Sequence, residues 1–163
     1  MNKSKGFTII ELIVVIAIIA VLAGIVLVNV TQYINRGKDA AAQGNLATMM
    51  TNGAVYFDEH SDYKDFITNN DVSSLTADAN DPGDCSKGGN SGFITPCQAL
   101  TNGGYEVKAY CSDGTAAKSC HANGVTNWCA QITLKTDAKT YCVDSNGSKK
   151  IDGTCSATTG KCS

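Results

Sequence analysis

One carboxylate dominates the chemistry available to this chain. Glu11 is the only charged side chain between Lys5 and Arg36, and the 17 residues from Leu12 to Val28 that follow it carry no polar side chain. A carboxylate at membrane depth costs about 2.5 kcal/mol or more unless it is partnered. The partner that suits it is a positive charge created at the same depth. A new α-amino group at Phe7 supplies one if the chain is cut after Gly6.

The other residues with chemical potential are cysteines. All eight (Cys85, Cys97, Cys111, Cys120, Cys129, Cys142, Cys155 and Cys162) lie outside the apolar stretch, none in C-x-x-C spacing, and the chain has two histidines, His60 and His121. Structural zinc sites need closely paired ligands, so a metal reading is poor. An even number of cysteines in a small region rich in Gly, Asn, Ser and Thr reads as disulfides formed outside the cytoplasm. Eight cysteines allow on the order of a hundred pairings, and sequence does not choose among them. Four bridges at about 2–4 kcal/mol each compensate for a thin core. His121 adjoins Cys120, but a disulfide at Cys120 removes that nucleophile.

No Gly-rich phosphate loop, G-x-S-x-G or His-containing metal pair occurs, so no enzyme is expected. Asp144, Asn146, Ser148 and Asp152 loosely follow the start of a calcium loop, with Gly147 inside. The terminal bidentate Glu is missing, and Lys149 and Lys150 repel a cation. A turn at Asn146-Gly147 joining two strands is the simpler account. The expectation is no cofactor, with calcium at Asp144, Asn146 and Asp152 as the one candidate.

The elements that must position these residues follow from periodicity. Phe7 to Val28 makes about 33 Å of helix, enough to cross a bilayer. After Val30 the pattern turns amphipathic, with Ile34, Ala41, Leu46, Met49 or Met50, Gly53 and Phe57 at spacings near three and four, opposite Gln32, Asn35, Arg36, Lys38, Asp39, Gln43 and Asn45. One helix from Phe7 to about Phe57 spans about 75 Å. Its first half is apolar all round, and its second buries a stripe, with Met49, Met50 and Phe57 as core contacts of a globular head. Gly24, Asn29 and Gly37 are its expected soft points, and Gly44 also interrupts it; alternatively, Gly24 serves close helix packing.

From His60 to Gly104 the sequence is loop-like, with a short helix opening at Asp71 to Leu75. Strands follow. Tyr105, Val107, Ala109 and Cys111 alternate with Glu106, Lys108 and Tyr110, and Trp128, Ala130, Ile132 and Leu134 alternate with Cys129, Gln131, Thr133 and Lys135. Thr136 to Lys139 reads as a hairpin turn before Tyr141-Cys142-Val143. The fold class is α+β: a long N-terminal helix, transmembrane in its first half, packed on a small antiparallel head of three or four strands, disulfide-rich. The organisation is a leader at residues 1–6, a long helix at 7–58 with its membrane segment at 7–30, and a head at 59–163.

Thirteen basic and 15 acidic residues give a formal charge of −2, and loss of the leader leaves 11 against 15. That weak acidity argues against an electrostatic nucleic-acid surface. Lys3 and Lys5 favour a cytoplasmic leader with the rest outside, a bias that Arg36 and Lys38 partly offset.

Lys5-Gly6-Phe7-Thr8-Ile9-Ile10-Glu11-Leu12 resembles the class III signal of type IV prepilins and of the related type II secretion pseudopilins. The resemblance covers about the first thirty residues. It implies that a prepilin peptidase cuts after Gly6 and methylates the new terminus at Phe7. Glu11 of an incoming subunit then pairs with that amine on a neighbour, as an ATP-driven assembly platform lifts the protein from the cytoplasmic membrane into a helical filament of its own copies at the cell surface. A Pro common later in the family's helix is absent; Val28 and Asn29 occupy that region. Trp128 to Gly147 resembles, more weakly, a C-terminal pattern of pilin-like proteins, which implies a bridge from Cys142 to Cys155 or Cys162. A conventional secretory signal and a plain anchor both leave Glu11 unexplained. A pseudopilin shares this N-terminus. A minor pilin with a role in adhesion or DNA uptake, or an anchored binding module, are the remaining alternatives.

Overall fold

The computed structural model describes residues 6–67, 90–114, 117–118, 120 and 122–163. Lys3, Lys5, Cys85, His121 and the expected helix at Asp71 to Leu75 lie outside them. The chain divides into two compact units, Met1–Gly37 and Lys38–Ser163.

Helix α1 spans Ile9–His60. The straight-chain and γ-branched residues and alanines of this segment favour helix, and its many Ile and Val residues disfavour it only mildly. The helix runs unbroken through Gly24, Asn29, Gly37 and Gly44, and a Cβ added at any of those three glycines meets nothing within 4 Å. Close packing within this chain therefore explains none of them. In the first unit the apolar side chains stand in the open: Ile9 is 80% exposed and Ile25 60% exposed. By length and composition α1 is long and apolar enough to cross a membrane.

In the second unit α1 buries Asp39, Ala42, Leu46, Met49 and Gly53, a stripe of alternating three- and four-residue steps. This corrects the expected stripe. Ala41 and Phe57 are exposed, because the buried face runs through Ala42 and ends at Gly53. The Phe57 ring lies 4.9 Å from the Tyr63 ring and covers the edge of the core from outside. Met50 is half-buried against the cluster.

Helix α2, Ser91–Asn102, occupies a segment whose composition reads as loop. Asn90 caps it by accepting from the Gly92 N–H at 2.8 Å. Phe93, Pro96, Cys97 and Leu100 face inward. Pro96 has no N–H to give to the Gly92 carbonyl four residues earlier. The Asn52 amide of α1 donates to that carbonyl instead, at 2.7 Å. The helix ends at Gly103 and Gly104, whose positive φ of 77° suits a residue without Cβ.

Five antiparallel strands form the main sheet among the described residues. In chain order they are β1 Lys108–Ser112, β2 Ala117–Lys118, β3 Asn127–Thr133, β4 Thr140–Asp144 and β5 Lys149–Ile151, and across the sheet the order is β2-β1-β3-β4-β5. Register sets Tyr110 opposite Cys129 and Gln131 opposite Cys142. Leu134 N–H donates to Lys139 O at 2.8 Å and closes the hairpin read from the sequence. A second sheet pairs β6 Cys155–Ser156 with β7 Lys161–Cys162. The expected three or four strands are thus too few, because β2, β5, β6 and β7 are too short to show a period in sequence.

Trp128, Ala130, Ile132 and Leu134 point into one core with the α1 stripe, as their alternation predicts. Trp128 is fully buried, its ring 5.4 Å from Phe66 and 6.0 Å from Phe93. It rests directly on α1: a Cβ at Gly53 would come within 2.8 Å of the indole. Among the described residues the indole N–H has no hydrogen-bond partner. Cys129 is buried as well, although it lies on the opposite face, in a second small cluster with Cys142 and Cys162. The β6–β7 pair covers that face around Cys129, while Gln131 stays half-buried and Thr133 exposed.

Candidate functional site

The residues singled out by chemistry sit at the start of α1. Phe7 is 82% exposed and precedes the first helical turn. Thr8 and Glu11 form a reciprocal pair there. The Glu11 carboxylate accepts from the Thr8 N–H at 2.8 Å and from the Thr8 hydroxyl at 2.6 Å, and the Glu11 N–H reaches the Thr8 hydroxyl oxygen at 3.4 Å. This T-x-x-E arrangement is a capping box, satisfying backbone donors that a helix start leaves open. The spacing was visible in the sequence. Glu11 is therefore not without partners in a single chain, and an anchored helix alone accounts for its hydrogen bonds. Nothing in the capping box neutralises its charge, so a cationic partner is called for by the charge alone. Gly6 lies just upstream, with no atom within 4 Å of an added Cβ.

The cysteines stabilise the second unit. Cys111 bonds to Cys120, Cys129 to Cys155, and Cys142 to Cys162. Of the two partners that the family pattern allowed for Cys142, the structure selects Cys162, because Cys155 is taken by Cys129. Cys97 is also disulfide-bonded. Among the described residues no cysteine is free.

Asp144, Asn146 and Asp152 are placed apart in function. Asp144 is 1% exposed, and each of its oxygens receives backbone donors: Asn146 N–H at 3.0 Å, Ser148 N–H at 2.9 Å and Cys162 N–H at 2.9 Å. It fastens the β4–β5 turn and the C-terminal strand together. Asp152 pairs with the Lys139 ammonium at 3.3 Å. Among the described residues no group of three or more His, Cys, Asp or Glu side chains is placed to hold a metal ion.

Asp39 is the residue whose role sequence reasoning misses. The sequence pattern puts it on the polar face of α1, yet it is 5% exposed. Its carboxylate accepts from the Tyr105 hydroxyl at 2.6 Å, Lys135 N–H at 2.8 Å, Thr136 N–H at 2.9 Å and the Thr136 hydroxyl. Burial pushes this carboxyl upward, but the bonds from Thr136, Tyr105 and Lys135 outweigh it and hold the group below its ordinary value. Burial and the same carboxylate push the Tyr105 hydroxyl well above its usual range. Lys135 Nζ stands 4.6 Å over the Tyr105 ring. A signal existed: Asp39 precedes Ala42 by three residues and Leu46 by seven, which puts it in the buried stripe.

Residues 1–27 match the family described as the prokaryotic N-terminal methylation motif. The chain is 39% identical over 64 residues to the type IV major pilin protein PilA of Myxococcus xanthus, covering 39% of this chain and 29% of that one. It is 47% identical over 51 residues to a type IV major alpha-pilin of Moraxella bovis, covering 31% and 32% of the two chains. With the type IV wide pilus major component PilA4 of Thermus thermophilus it shares 42% over 59 residues, 36% and 41% of the respective chains. The matched stretch thus spans less than half the length of each of these relatives. No solved structure matches the chain.

Proposed function

We propose, from the N-terminal methylation motif and the likeness to type IV major pilins, that this chain is a structural subunit of a type IV pilus-like filament, with no catalytic role. A prepilin peptidase removes Met1 to Gly6 and methylates Phe7, and the protein waits in the cytoplasmic membrane on α1. An assembly platform then transfers it to the growing surface filament. The observation that supports this most directly is Glu11 as the one charge in the apolar first part of the chain's long helix, where the described side chains from Phe7 to Val26 are exposed. Exposed apolar surface of that extent needs either lipid or other helices around it. Exchanging lipid for neighbouring helices brings Glu11 toward the amine at Phe7 of another copy, where pairing neutralises two charges that are costly alone in an apolar medium.

Mass spectrometry of the N-terminal peptide from sheared surface filaments tests the reading. The expected result is a chain beginning at N-methyl-Phe7 and recovered in filaments. A chain that begins at Met1 and stays in the membrane fraction overturns it and leaves an anchored, disulfide-rich domain.

A further inference from the structure

The chain holds four Asn-Gly dipeptides, at Asn52, Asn102, Asn123 and Asn146. Asparagine followed by glycine is the pair most prone to lose ammonia, because the glycine nitrogen is not shielded by a side chain. The fold treats the four differently. At Asn52 the dipeptide lies inside α1, its amide is engaged with Gly92 O, and Gly53 is sealed by Trp128. Gly103 N–H is donated to Ala99 O at 3.1 Å, and Gly147 N–H to Asp144 O at 3.1 Å. In each of these the attacking nitrogen is held in place.

Asn123-Gly124 shares with Asn146-Gly147 the exposure of both residues, a positive φ at the glycine (74° and 85°) and open space around an added Cβ, but among the described residues the Gly124 N–H has no hydrogen-bond partner. The electrophile is also prepared. Lys64 Nζ donates to the Asn123 side-chain carbonyl oxygen at 2.9 Å. That oxygen gains negative charge when the carbonyl is attacked, and a donor already in place stabilises it. Lys64 is held there by its neighbours: Tyr63 N–H donates to Val125 O and Asp65 N–H to Cys120 O, both at 2.8 Å.

We propose that Asn123-Gly124 is a self-modifying site that converts asparagine to aspartate and isoaspartate under the influence of Lys64. The Gly124 nitrogen gives its proton to hydroxide and attacks Asn123 Cγ. The new C–N bond closes a succinimide ring, and the former side-chain nitrogen leaves as ammonia with a proton from water. Water then opens the ring at one of its two carbonyls. No oxidant or reductant is involved. The product carries a carboxylate within reach of Lys64, so a neutral hydrogen bond becomes an ion pair. Where the isoaspartyl product forms, the backbone between Cys120 and Val125 is longer by one methylene. The chemistry needs only the folded head, and does not depend on filament assembly.

The test is peptide mapping by mass spectrometry, with isoaspartyl methyltransferase labelling, on the full chain in detergent after incubation in mildly alkaline buffer. Conversion is expected several-fold faster at Asn123 than at the other three sites, with the four rates converging in denaturant. Lys64→Met should slow Asn123 by roughly two- to tenfold, a discount on the larger effect of a buried oxyanion donor, and Lys64→Arg should restore the rate. Near-UV circular dichroism confirms that the variants fold. Conversion at Asn146 matching or exceeding that at Asn123 overturns the assignment of the site, and an unchanged rate in Lys64→Met overturns the role of Lys64.

Discussion

Replacing Asp39 with alanine removes one acceptor from four donors, and the structure sets the scale of the loss. Hydrogen bonds to charged groups contribute about 1.5–3 kcal/mol each. Lys135 and Thr136 are exposed, so their donors recover water in the variant. The Tyr105 hydroxyl, on a residue 6% exposed, recovers less. The sum is about 3–5 kcal/mol, reduced by about 0.5 kcal/mol because alanine favours helix more than aspartate does. A net loss of about 3–4 kcal/mol lowers the melting temperature of a head this size by about 10–20 °C. Asp39→Asn keeps the shape but turns an NH2 toward donors, and should lose about 1–3 kcal/mol. The assay is thermal unfolding of the full chain in detergent, followed by the near-UV signal of Trp128. The sign of the pH dependence is fixed as well. The folded-state value lies below the unfolded value of about 3.9, so the stabilisation is present above about pH 4 and is lost as pH falls through the lower folded value. The gap between wild type and Asp39→Ala should therefore close in acid. A variant melting within about 3 °C of wild type at neutral pH, less than about 1 kcal/mol, refutes the reasoning.

Three further outcomes are expected. Gly53→Ala forces a Cβ to within 2.8 Å of the buried Trp128 ring, so overpacking of about 1–3 kcal/mol exceeds the gain in helix propensity of about 1 kcal/mol; a melt that rises above wild type contradicts this. Glu11→Gln retains a capping-box acceptor without the charge. Filaments should be lost in both Glu11→Gln and Glu11→Ala, while peptidase cleavage persists in each; normal filaments in the Gln variant reduce Glu11 to a helix cap. Removing the Cys142–Cys162 bridge, which closes a separation of 20 residues, by serine substitution at both positions should cost about 2–4 kcal/mol, measured by denaturant unfolding; an unchanged midpoint argues that the Asp144 bonds hold β7 unaided.

The long helix, the inward face of β3 and the β3–β4 hairpin were readable because each is long enough to repeat its own period. Trp128, Ala130, Ile132 and Leu134 show this best. What was not readable depends on partners distant in sequence. Asp39 looks like one polar residue among several on a helix, and only Tyr105 and Thr136, 66 and 97 residues away, give it a buried role. The second helix was concealed by Gly92 and Pro96, and is completed by an amide from Asn52. Phe93, Cys97 and Leu100, spaced four and three apart, were the available clue. At the N-terminus the charge of Glu11 is legible in the sequence, and so is the T-x-x-E spacing from Thr8 to Glu11 that makes it a helix cap as well.

The placement of the covalent bonds sets how this molecule responds to a pull. The three described crosslinks tie β3 to β6, β4 to β7, and β1 to the segment at Cys120, whereas α1 contains no cysteine. Tension between helix and sheet therefore meets its weakest resistance along Ala42, Leu46, Met49 and Gly53, with Asp39 as the polar tie. That seam opens before the crosslinked strands separate. The strands keep their register while it is open, because the β1–β3–β4 ladder and the bridges from β3 to β6 and from β4 to β7 all lie on the sheet side of the seam. Closing again requires only that a helix already joined through the backbone settle back over Trp128, so a stretched head recovers without remaking a single covalent bond.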